Sequence, residues 1–117
     1  MNDELLTREE FKKQVFSRTN GKCCVPGCTC DAVDAHHIMD RKLWKDGGYY
    51  LTNGAALCAK HHLDAETGVI TPMQCFQYMN IDLALIRKPD KLKEIFPKEN
   101  FEYTEAMIIG IINKWGE

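Results

Sequence analysis

A chain of 117 residues has room for one compact domain and a short appendage. Apolar residues make up 44% and charged residues 27%, which is the balance of a globular domain and not of a disordered or membrane-embedded chain. The net charge of −2 excludes the strongly basic class of nucleic-acid binder. Any phosphate contact has to come from local patches such as Arg41, Lys42 and Lys45, or Arg87, Lys88, Lys91 and Lys93.

Taken in chain order, Met1-Asn2-Asp3-Glu4 is acidic and carries no apolar run, which speaks against a signal peptide. No stretch approaches the roughly 18 apolar residues of a membrane span. The expected compartment is the cytoplasm, where reduced thiols make the six cysteines metal ligands in preference to disulfides. Residues 7–20 are predicted to form a helix. Thr7 and Glu10 fit a capping box, Phe11, Val15 and Phe16 form an apolar stripe, and Asn20-Gly21 supplies the stop. Four cysteines around Pro26-Gly27 in residues 22–31 predict a tight knuckle. Ala32 to Ile38 reads as a first strand, 39–50 as an ordered loop with Trp44 and Tyr49-Tyr50 as satellite core, and Leu51 to Leu57 as a second strand with Asn53-Gly54 at or near a turn.

From Lys60 to Glu66 the composition is helical, and Thr71-Pro72 starts a further helix through Phe76 and Tyr78. Residues 81–96 carry interrupted apolar positions, and Thr104 to Trp115 predicts a last helix. The expected organisation is a core over residues 1–70 with a helical C-terminal extension, 71–117, packed on it. Forty-seven residues would struggle to form an independent core.

Two ligand pairs stand out, Cys23-x4-Cys28 and Cys58-x2-His61, with 29 residues between them. Zn²⁺ takes four N/S ligands tetrahedrally, and paired ligands on tight turns each hold two corners. Cys24 and Cys30 compete for the first pair, while Cys75 reads as an ordinary core residue. All four histidines fall in two adjacent pairs, His36-His37 and His61-His62. Neighbours on a strand point to opposite faces and neighbours on a helix diverge by about 100°, so one member of each pair can serve a different site from the other.

These motifs together, Cys-x4-Cys, Asp-Ala-His-His-Ile and Leu-Thr-Asn-Gly-Ala-Ala-Leu-Cys-Ala-Lys-His-His, resemble the HNH endonuclease family over residues 8–70. Fifteen residues separate His37 from Asn53 and eight separate Asn53 from His62, which looks like that family's signature in its zinc-knuckle subgroup. The resemblance implies an α+β fold, a small ββα-metal (His-Me finger) core stapled by a structural zinc on Cys23, Cys28, Cys58 and His61. It implies a DNA endonuclease of phage or mobile-element type in which His37 is the general base and Asn53 orients it. His36 and His62 would ligate a catalytic divalent cation, Mg²⁺ or Mn²⁺, with Asp64 or Glu66 as a further ligand. A homodimer would allow both strands to be cut. Two departures stand against the pattern: His61 replaces a more usual cysteine, and the domain is not basic. The alternative is a silent zinc-stapled module that binds nucleic acid or a protein partner.

Overall fold

A computed structural model describes residues 4–82 together with Leu85 and Ile86. The expected helix over 104–115, most of the apolar run 81–96 and the basic patch Arg87 to Lys93 lie outside the described residues. The described chain is a small mixed α+β structure: helix α1 (Arg8–Ser17), strands β1 (Asp34–His37) and β2 (Gly54–Leu57), then helices α2 (Ala59–Glu66) and α3 (Pro72–Tyr78). Short 3-10 turns at Arg41–Leu43 and Leu51–Asn53 lie between the strands.

Helix α1 begins where its cap dictates. The Thr7 hydroxyl accepts from the Glu10 N–H at 3.1 Å, and the Glu10 carboxylate accepts from the Thr7 N–H at 3.4 Å, so two orphan donors of the first turn are satisfied reciprocally. It ends earlier than expected, at Ser17, because residues 18–20 already turn toward the left-handed Asn20 (φ 53°) and Gly21 (φ 77°). Phe11 and Val15, one turn apart, are buried.

The two strands are antiparallel, with Asp34 opposite Leu57 and His37 opposite Gly54. Both are shorter than the sequence suggests. Residues 51–53 wind into a 3-10 turn because the Asn53 N–H donates to the Tyr50 carbonyl at 2.8 Å. Asn53 thus closes a turn and Gly54 opens β2, which agrees with a turn expected at or near this dipeptide. Gly54 is required there by packing. A Cβ would lie 2.3 Å from Val15 Cγ2 and 2.9 Å from Phe11 Cζ, so only glycine lets α1 lie directly on the sheet.

The excursion between the strands returns its aromatics to the interior, and Trp44 and Tyr50 belong to the same buried cluster as Phe11, Val15 and Leu57. Helix α3 opens with a second capping box, Thr71 with Gln74. It packs Cys75 and Phe76 into that cluster, so residues just past 70 share the core of those before it. The Arg18 guanidinium donates to the Met79 carbonyl at 3.0 Å and ties the end of α1 to the end of α3. Among the described residues, no helix is long and apolar enough to cross a membrane.

Candidate metal centres

The knuckle is built by backbone bonds before any side chain is considered. Lys22 and Asp31 form an antiparallel bridge, the Cys23 N–H donates to the Cys30 carbonyl at 3.0 Å, and the Cys28 N–H donates to the Val25 carbonyl at 3.0 Å. Gly27, with φ of 82°, supplies the left-handed step that closes the turn. A bond from the Cys24 N–H to the Ala56 carbonyl at 2.8 Å docks this turn on β2. Because β2 runs straight into α2, Cys58 at the cap and His61 in the first turn arrive at the same place.

The ligand atoms of Cys23, Cys28, Cys58 and His61 all lie within 4.8 Å of one another. His61 Nδ1 is 3.4 Å from Cys23 Sγ and 3.2 Å from Cys58 Sγ. A zinc tetrahedron with Zn–S of about 2.3 Å and Zn–N of about 2.1 Å has sulfur-to-nitrogen edges of about 3.6 Å, so this cluster could hold a structural metal such as zinc. Cys24 and Cys30 are not part of it: Cys24 packs against the core and Cys30 is exposed. Burial pushes the Cys23 thiol up to about 11, and the Cys24 and Cys75 thiols up to about 12. The Cys28 thiol is lowered, chiefly by the backbone N–H of Cys30. Binding of a cation to the Cys23, Cys28 and Cys58 thiols would displace protons and so weaken in acid.

One residue further along α2, the helical rotation turns His62 away from the sulfur cluster. There it meets His36 of β1, with ring centroids 5.2 Å apart. Glu66, one turn on, brings Oε1 to 3.2 Å from His62 Nε2. His36, His62 and Glu66 have ligand atoms within 4.8 Å of one another, forming a second candidate cluster. Asp64 is not in it. Asp34 approaches from the far side of the ring, with Oδ2 3.0 Å from His62 Nδ1.

The second cluster faces an open cleft of about 620 Å³, whose walls include His37, Arg8 and Arg41. Strand alternation sends the His37 ring toward α1, where it stacks on Phe11 with centroids 4.8 Å apart and meets the Tyr49 edge-on at 4.8 Å. Among the described residues, His37 Nε2 is buried with no hydrogen-bond partner. Burial lowers the pKa of His37 to about 4, with Arg41 and His36 adding to the shift. Burial, followed by the His62 charge, lowers His36 to about 4 as well. Both rings are neutral at physiological pH, the state in which an imidazole can accept a proton or ligate a metal.

Asn53 is only 1% exposed and spends its amide on the backbone. Its Oδ1 accepts from the Met39 N–H at 2.8 Å, and its Nδ2 donates to the Met39 carbonyl at 3.0 Å and the Gly48 carbonyl at 3.4 Å. Its own carbonyl takes the Ile38 N–H at 2.9 Å. The chain leaving His37 is thus clamped two residues downstream.

The two candidate clusters meet on opposite sides of the first turn of α2, through His61 and His62. Sequence reasoning missed Asp34 and the aromatic walls around His37. The i to i+4 spacing of His62 and Glu66 was the signal for the third member of the open cluster, and Asp64 carried no comparable signal. Comparison with family models, with curated proteins and with solved structures returned no match.

Proposed function

We propose that the protein is a metal-dependent endonuclease of HNH type, a ββα-metal core that hydrolyses phosphodiester bonds in DNA. One observation carries this reading: two imidazoles and a carboxylate with metal-ligand spacing open onto a cleft that a third, neutral imidazole also lines. A divalent cation such as Mg²⁺ or Mn²⁺ held by His36, His62 and Glu66 would supply Lewis-acid stabilisation of charge at the scissile phosphate.

The chain's own groups account for the remaining chemistry. His37 accepts the proton of the attacking water. Its depressed pKa keeps it unprotonated at neutral pH, and Phe11 and Tyr49 fix the plane of its ring. Asn53 is a positioning residue that acts through the Met39 backbone. Arg8 and Arg41 provide positive charge for phosphate in a cleft that also holds Asp34, Asp40 and Glu66. Zinc held by Cys23, Cys28, Cys58 and His61 would lock the knuckle to the start of α2 and so fix where His62 stands.

The test is cleavage of supercoiled plasmid by zinc-loaded protein in EDTA, Mg²⁺ or Mn²⁺, with folded His37→Ala run in parallel. Metal-dependent nicking that disappears in the variant is expected. Absence of cleavage on plasmid, single-stranded DNA and RNA alike would sink the enzyme reading in favour of a binding module.

A further inference from the structure

His62 lies between two carboxylates. Its Nδ1 is 3.0 Å from Asp34 Oδ2 and its Nε2 is 3.2 Å from Glu66 Oε1. A neutral imidazole carries a single N–H, so it can donate to only one of them. The two contacts are not equivalent. Glu66 lies on the side where His36 also converges, and two ligands each about 2.1 Å from one cation are about 3.0 to 3.4 Å apart for angles between octahedral and tetrahedral. The Nε2 to Oε1 separation falls in that range. Asp34 is outside the converging group, on the opposite nitrogen.

From this asymmetry we infer that Asp34 is the positioning residue of the open site. It accepts the Nδ1–H of His62, fixes that tautomer, and presents the Nε2 lone pair to a divalent cation shared with His36 and Glu66. The inference rests on reading these three side chains as a cation site. Metal-binding histidines commonly donate their second nitrogen to a carboxylate, which sets ring orientation and raises ligand basicity. Placement by the fold is direct. Asp34 is the first residue of β1 and faces Leu57, the last residue of β2, immediately before the helix that carries His62. The strand pairing that builds the sheet therefore also delivers the carboxylate to the ring. Asp34 is half exposed, which places its effect at the weak end of the usual range for such partners.

The experiment uses the full chain loaded with zinc, in native, Asp34→Ala, Asp34→Asn and Asp34→Glu forms. Two readouts are taken: calorimetric titration with Mn²⁺, and the ¹⁵N shifts of the His62 ring with and without a diamagnetic cation, Mg²⁺. The native ring is expected in the Nδ1–H tautomer. Asp34→Ala is expected to lose that preference and to bind Mn²⁺ about 10-fold more weakly. Zinc content and the amide spectrum should be unchanged. Asp34→Glu should recover part of the affinity, and Asp34→Asn, which keeps an acceptor but no charge, should fall between native and alanine.

Unchanged Mn²⁺ affinity and tautomer in Asp34→Ala would overturn the inference while leaving the cation site intact. A native protein that binds no second cation would overturn both this inference and the cation site. Mn²⁺ binding with the expected Asp34 dependence, but no cleavage, would uphold the inference and refute only the nuclease reading.

Discussion

Two donor clusters sit on opposite sides of the same helical turn, and they differ in every respect that matters to a metal. The first gathers three sulfurs and one nitrogen, a full tetrahedral set, with Cys23 and Cys58 buried. The second gathers two nitrogens and a carboxylate and borders an open cleft. A closed, soft set holds a fold together, whereas an open, harder one admits substrate. His61 and His62 are adjacent, so a rotation of about 100° along a helix is all that separates the two roles.

The sharpest way to break this comparison is to remove the first metal. Stripping zinc with a strong chelator, or making Cys58→Ser, is expected to unfold the domain. Structural zinc in small domains contributes about 10–16 kcal/mol, comparable to or larger than the whole stability of a chain of this size. Loss of helical circular dichroism and collapse of amide dispersion would report it. A protein that keeps its fold without zinc would show that the closed cluster is not a staple.

His37→Ala addresses the open side alone. Cleavage is expected to drop by about 10²- to 10⁴-fold, the usual worth of a general base, with fold, zinc content and Mn²⁺ affinity retained. His62→Ala should instead abolish Mn²⁺ binding while keeping zinc. If His37→Ala releases zinc, the two clusters are not separable as argued.

That the clusters would share a turn was legible in the sequence, because two ligand pairs overlap at His61-His62 and their spacing fixes their phases on a helix. The knuckle was legible for a similar reason, since short spacings around Pro26-Gly27 leave few geometries. Which cysteine fills the first corner was less sharply legible, although Cys23, the preferred partner of Cys28, is the one in the cluster. Cys23 and Cys24 differ only by the strand-like alternation that docks Cys24 on Ala56, a tertiary contact with no local signature. Asn53-Gly54 was legible only in part, although a turn does end at Asn53. The dipeptide reads as a turn, but burial under the excursion and the packing of α1 on Gly54 give both residues tertiary roles. Asp34 was invisible because its partner His62 is 28 residues away.

Between the clusters, two substitutions test the scaffold that positions them. Asn53→Ala would leave the Met39 N–H without its acceptor in a buried setting, and is expected to cost about 2–4 kcal/mol in urea unfolding of the zinc-loaded protein. It should also lower cleavage more than its stability loss explains, since the backbone after His37 is no longer held. Gly54→Ala would push a methyl group into Val15 and Phe11, with an expected cost of about 1–3 kcal/mol as α1 shifts off the sheet. Because His37 stacks on Phe11, that shift should slow cleavage while leaving zinc affinity within error.

The smallest expected effect is also the one that best separates function from structure. Arg8 is the first residue of α1 and lines the cleft, a cation placed where the helix dipole favours anions such as its neighbours Glu9 and Glu10. Replacing it with alanine should therefore stabilise α1 slightly, by about 0.3–1 kcal/mol. If Arg8 meets a substrate phosphate, the same change should weaken DNA binding uniformly across sequences and reduce the dependence of log K on log salt by about 0.9. Stability and binding then move in opposite directions, a combination that a merely structural arginine does not produce. A variant that gains stability with an unchanged salt slope would confine phosphate contact to Arg41 and the metal. That outcome would narrow the substrate-facing wall of the cleft to the side away from α1.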